Sequence, residues 1–244
     1  MEKRIIARGL LAGAIAGVVA YLFARTFVEP TIGRAVGFEE SHIAAHDHGA
    51  ELFTRSVQAN IGMGFGVVAF AVAMGAMFAV TFVVAYGRVG NISPRALSIL
   101  LGSGAFGAMI LVPALKYPPN PPSIGHADTI RERTGLYLLM VLVSVALAFG
   151  GLWLGRKLVS RLGVWSASLA GIGAYVLAVA VVMSVLPGVA ETPAGFPADT
   201  LYDFRVYSLA TQLVMWATIS VVFASSAARL LGERPNRQEH SLTA

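Results

Sequence analysis

The chain of 244 residues contains no cysteine, which excludes a disulfide framework, a thiolate metal site and thiol redox chemistry. Charge is scarce too. Only 13% of the residues are charged, against about 25% in soluble domains. No GxxxxGK[ST] segment occurs, so the chain lacks the phosphate-cradling loop of nucleotide hydrolysis. It also lacks a GxSxG elbow, a kinase signature and the HExxH pattern of zinc proteases. These absences leave no catalytic constellation, and no enzymatic activity is expected.

What is present is apolar: 56% of the residues are hydrophobic and the mean hydropathy is +0.71. So little polar surface cannot cover a globule of this size, so lipid must be the solvent for much of it. The expected class is an all-α integral membrane protein, a single six-helix membrane domain over residues 1–244. Six apolar stretches are long enough to span, at about 5–28, 61–86, 96–115, 135–155, 165–186 and 206–228. The first is longer than the apolar region of a signal peptide and lacks a small-x-small cleavage site.

Six spans put both termini on one side. That side carries eleven cations against three acids, a net of +8, and includes a tail at 229–244. The other side carries seven cations against ten acids, a net of −3. Because Lys and Arg accumulate in cytoplasmic loops, both termini are expected in the cytoplasm of a bacterium, with the chain in its inner membrane. Net charge of +5 here describes membrane topology, and no nucleic-acid partner is expected.

The chain also repeats itself. Arg88-Val-Gly90 resembles Arg161-Leu-Gly163, and each leads into a span that ends at a proline, Pro113 or Pro187. External loops follow with Ala127-Asp128-Thr129 and Ala198-Asp199-Thr200, and then Glu132-Arg133 and Asp203-Phe204-Arg205. The first hairpin fits more loosely, with Pro30 ending its outward span and Glu51 and Arg55 before the return. Three tandem parallel hairpins is one reading. The other is that any membrane hairpin places proline and arginine at these positions.

Candidate functional residues gather in the expected external segment 29–60, an acidic, histidine-bearing loop. Glu39, Glu40, His42, His46, Asp47 and His48 lie within ten residues. His42 and His46 are four apart, so on a helix their imidazoles share a face and can grip one ion. Such a set suits late first-row divalent metals, with carboxylates completing the shell. The alternative is a solvated polar loop. Glu29, beside Arg25, is a charge near a span and therefore a candidate on the transport path. Arg55, Arg133 and Arg205 would repel a naked cation, and are expected to pair with Glu51, Asp128, Glu132 and Asp203. Gln212 is a polar side chain inside the last span, available for packing or for substrate. Gly62, Gly64, Gly66 and Gly75 are expected to allow close helix approach. The run Lys116-Tyr-Pro-Pro-Asn-Pro-Pro122 cannot be helical and reads as an extended cover.

Taken together, Glu29-Pro30, the Glu-Glu…His-x-His-Gly loop, Lys116-Tyr-Pro-x-Asn-Pro-Pro122, Asp128-Thr-Ile-x-x-Arg133 and Asp203-Phe-Arg205…Gln212…Trp216 resemble the CbtA family of predicted cobalt transporter subunits. The resemblance covers nearly the whole chain. It implies uptake of cobalt, or a related divalent metal cation, as the transported ion, alongside a small histidine-bearing partner, CbtB. A homo-oligomer is a further expectation. The rival expectation is a non-transporting accessory or assembly subunit, because few ionisable groups lie deep in the spans.

Overall fold

The computed structural model describes residues 2–42, 54–122, 124–125, 127–189 and 191–232. Every regular element among them is helical: α1 (Glu2–Phe23), α2 (Glu29–His42), α3 (Arg55–Val57), α4 (Met63–Ala85), α5 (Pro94–Ala105), α6 (Val112–Lys116), α7 (Ala127–Val185) and α8 (Ala198–Leu230). Three π-helical segments, Ala24–Val28, Gln58–Gly62 and Phe106–Leu111, join α1 to α2, α3 to α4 and α5 to α6.

Two of these segments end just ahead of a proline, Pro30 or Pro113. Proline has no N–H to give and its ring crowds the preceding turn. A wider π turn accommodates both demands, and such turns are rare elsewhere. The helix therefore does not stop at Pro30, where the sequence suggested that the outward span ends, but runs on to His42. Pro187 does lie beyond a helix end, two residues after Val185.

Among the described residues, five helices are long and apolar enough to cross a membrane: Glu2–Ser41, Arg55–Ala85, Pro94–Lys116, Thr129–Val185 and Ala198–Leu230. The sequence suggested six. The difference lies in α7, whose 59 residues include Gly163 at φ 73 and ψ 165. Only glycine takes that conformation without strain. A straight helix of this length would measure roughly 90 Å, three times the roughly 30 Å hydrocarbon core. After Gly163 the chain instead runs back along itself. A Cβ placed on Gly171 would lie 2.6 Å from the Gly151 carbonyl oxygen, and one on Gly151 would lie 2.8 Å from that of Gly171. The Ser144 and Tyr175 hydroxyls are 2.9 Å apart, and Met140 packs with Val179 and Tyr117 in a buried cluster.

The chain divides into two compact units. The first comprises residues 1–23, 53–104 and 211–244. In it α1 lies against α4 along small residues. A Cβ on Gly9 would sit 2.4 Å from the Gly75 carbonyl oxygen, and one on Gly13 2.4 Å from that of Ala71. Close backbone approach of this kind is how helices associate without a hydrophobic driving force. Gly75 fulfils the expected packing role, whereas a Cβ on Gly66 would meet open space. Phe223 of α8 stacks edge-on with Phe78 and Phe82 of α4, centroids 5.2 and 5.1 Å apart.

The second unit comprises residues 24–52 and 105–210. Its helices are held at one end by Ala35, Ile124 and Phe196, with Phe38 and Leu201 packed against them. Some of the matching sequence positions share local geometry. Gly90 and Gly163 both take positive φ, and Ala127 and Ala198 both open helices. The prolines differ: Pro113 is buried inside a helix, while Pro187 follows one.

Candidate functional site: an arginine clasp on the proline loops

The polar centre of the second unit is built around a segment that cannot satisfy itself. Tyr117 ends α6 and donates its N–H to the Pro113 carbonyl. Beyond it, four of the next five residues are proline, which offers carbonyl acceptors and no donors. Long side chains from elsewhere supply the missing donors. Arg133 Nη2 donates to the Pro118 carbonyl at 2.8 Å. Arg205 Nη2 donates to Asn120 Oδ1 at 2.9 Å. The Tyr117 hydroxyl in turn donates to the Pro187 carbonyl at 2.8 Å, tying this segment to the loop before α8. Burial, and secondarily the charge of Glu132, raises the Tyr117 phenol pKa, so the hydroxyl keeps its proton and remains a donor.

The same loop before α8 contributes Glu191, a carboxylate only 5% exposed. Thr129 Oγ1 donates to its Oε1, and Arg133 Nη1 lies 3.3 Å from its Oε2. A buried carboxylate persists only when paired and hydrogen-bonded, and both conditions are met here. Arg133 thus bridges the proline segment and Glu191. Further out, Arg34 of α2 pairs with Asp203 of α8 at 2.7 Å.

These pairings differ from the expected ones. Asp203 is held by Arg34, and Arg205 finds an amide. Residues two apart on a helix point to different faces, so Asp203 and Arg205 cannot serve each other. Neighbours such as Glu132 and Arg133 diverge for the same reason. Arg205 Nε is buried without a hydrogen-bond partner, and its only described partner is neutral. Two guanidiniums, Arg133 and Arg205, thus meet at the proline segment beside the hydrogen-bonded carboxylate of Glu191, an arrangement that braces the loops.

The remaining sequence candidates are dispersed. Glu29 opens α2 directly after the π segment, Glu39 and Glu40 lie in its closing turns, and His42 is its last residue. His46, Asp47, His48 and Glu51 lie outside the described residues. Among the described residues no group of three or more histidines and acids could hold a metal ion. Arg55 opens α3 behind its Thr54 cap. Gln212 belongs to the first unit, and its Oε1 is buried with no hydrogen-bond partner. Glu191 and Arg34 were given no role by the sequence reading, and Asn120 and Thr129 stood there only within motifs. Their partners lie between 58 and 169 positions away, and no local periodicity marks such pairs.

Comparison with known proteins adds one match. The family model described as "Probable cobalt transporter subunit (CbtA)" matches residues 2–228. No curated protein and no solved structure matches the chain.

Proposed function

The chain belongs to the CbtA family, and from that membership we propose that it is a cobalt-uptake subunit that crosses the bacterial inner membrane six times. On this reading α7 supplies two crossings, one on either side of Gly163, and both termini are cytoplasmic. The charge distribution supports that orientation, since the Lys and Arg excess falls on the side of the termini. Segments 29–60, 116–134 and 187–205 then face outward. The ion is captured at the acidic, histidine-bearing segment, with Glu39, Glu40, His42, His46, Asp47 and His48 as its ligands. The arginine clasp fixes the proline loops over the mouth, and a subunit of this family works beside a partner, here a small histidine-bearing membrane protein.

The family match carries this reading. Its test is uptake of radioactive cobalt into proteoliposomes containing the chain with its partner, or either one alone. Uptake that requires this chain supports a translocating subunit.

One observation favours the rival reading of an accessory or assembly subunit. The described arginines of the clasp are engaged by carboxylates, a loop carbonyl and the Asn120 amide oxygen, which is the work of a brace. Full uptake by the partner alone would decide for that reading.

A further inference from the structure

Between Glu132 and Glu191 the chain carries no Asp or Glu, yet Arg156, Lys157 and Arg161 stand together just ahead of the turn at Gly163. All three are exposed, and among the described residues no carboxylate pairs with any of them. Trp153, Lys157 and Arg161 follow at intervals of four and so share one helical face. The Lys157 ammonium lies 5.0 Å from the centre of the Trp153 ring, a cation–π contact, and Arg161 continues the stripe one turn on. Like charges four apart on a helix repel, and no acid in the hairpin offsets them. Apolar surface lies open beside the cations. Trp153 is 63% exposed, and Val164 and Trp165, directly after the turn, are 70% and 76% exposed. The matching turn at Gly90 carries Asn91 and a half-buried Ile92 in those two places.

We propose that this hairpin tip is a binding site for the headgroup of an anionic phospholipid. The inference rests on the reading above that α7 crosses the membrane on either side of Gly163. The two arms run antiparallel, with Gly151 against Gly171 and Gly155 against Ala167, so Lys157 on one arm stands level with Trp165 on the other. The apolar runs end at Gly155 and resume at Trp165, which sets Lys157 and Trp165 at the edge of the hydrocarbon. Arg161 lies four residues further, about 6 Å along the axis, and the headgroup layer is about 5–8 Å deep on each face. The tip therefore ends among headgroups rather than in open water. Tryptophan is favoured at that depth, and Lys and Arg there gain from a negative leaflet. One anionic lipid answers both halves of the surface. Its phosphate relieves the repulsion between Lys157 and Arg161, and its glycerol and first methylenes cover the open indole rings.

The test uses the full chain in mixed micelles, with retained lipids counted by native mass spectrometry. From an equimolar mixture of phosphatidylglycerol and phosphatidylcholine the chain should keep the anionic lipid preferentially. A basic residue near an anionic surface favours binding roughly fivefold. Lys157→Gln with Arg161→Gln should therefore weaken retention of phosphatidylglycerol roughly 25-fold. Arg88→Gln with Arg95→Gln, the same charge change at the other turn, should leave it within about twofold. Equal losses in the two double variants, or no preference in the parent, overturns the site. So does displacement of the lipid by excess inorganic phosphate, which would assign the cations to a free anion. Should the first double variant fail to fold, the parent alone decides. Brominated phosphatidylglycerol should quench its exposed tryptophans at a lower mole fraction than brominated phosphatidylcholine, and equal quenching overturns the site. Sidedness is read separately from Ser160→Cys and Thr192→Cys. Labelling of both from one face, with the lipid preference intact, overturns the second crossing of α7 alone. Labelling from opposite faces without a lipid preference overturns the site alone.

Discussion

Arg133 reaches Glu191 across 58 positions of sequence, its Nη1 3.3 Å from the carboxylate Oε2, and with the same guanidinium it holds the Pro118 carbonyl. One side chain thereby fixes two loops that have few other means of ordering themselves. Arg133→Ala removes the charge partner of a side chain that is 2% exposed. Breaking a buried pair in this way costs about 3–5 kcal/mol. Arg34→Ala breaks a pair whose side chains are 50% and 33% exposed, and should cost under about 1 kcal/mol. Thermal unfolding in detergent measures both, and equal losses would show that Glu191 is not desolvated.

Tyr117 contributes to the same clasp through a proton. Its phenol pKa is raised by burial and by Glu132, so folding favours the neutral form. The stabilisation is full below the ordinary phenol pKa of about 10 and is lost as pH rises through the elevated folded value. Tyr117→Phe should cost about 0.5–1.5 kcal/mol at neutral pH and should flatten the alkaline limb of the stability profile. An alkaline limb identical in wild type and variant would assign that limb to other groups.

The glycines of the first unit separate contact from tolerance. A Cβ on Gly75 would lie 2.3 Å from the Gly9 carbonyl oxygen, whereas one on Gly104 meets nothing within 4 Å. Gly75→Ala should therefore destabilise by about 1–3 kcal/mol through overpacking. Gly104→Ala should stabilise α5 by about 0.5–1 kcal/mol through helix propensity. Denaturant titration of the reconstituted chain reads both, and the same sign for the two would contradict the packing of α1 on α4.

Much of this was legible in the sequence for physical reasons. Spans announce themselves as apolar runs, and the turn glycines Gly90 and Gly163 stand in matching motifs and both take positive φ. Of the glycines expected to pack closely, Gly75 does so, and its partners are Gly9 and Gly13 of α1, whose spacing the sequence reading passed over. The continuation through Pro30 was not legible, because a proline ordinarily ends a helix and the π turn that spares it leaves no mark in composition. The clasp was not legible either. Arg34 and Asp203 are 169 positions apart, and only the tertiary fold tells which arginine meets which acid.

The proposed topology has a direct test, since the chain has no native cysteine. Ser41, Ser160 and Thr192 are all exposed. In intact cells Ser41→Cys and Thr192→Cys should react with a membrane-impermeant thiol reagent, and Ser160→Cys should react only after the membrane is opened. Labelling of Ser160→Cys alone in intact cells would invert the orientation.

The histidine segment can be tested by pH. Imidazole is a ligand only when neutral, with an ordinary pKa of about 6.5, and protonation below that value removes it from the metal. If His42, His46 and His48 capture the ion, cobalt binding by the wild type should fall steeply as pH drops from about 7.5 to 5.5. The triple replacement by alanine should bind at least tenfold more weakly at pH 7.5 and lose the steep step. Carboxylates alone would keep their charge until about pH 4 and leave binding flat over this range. A wild type as flat as the triple variant would therefore move capture from the imidazoles to the acids of the same segment. A triple variant that retains both the affinity and the step would move it out of the segment altogether.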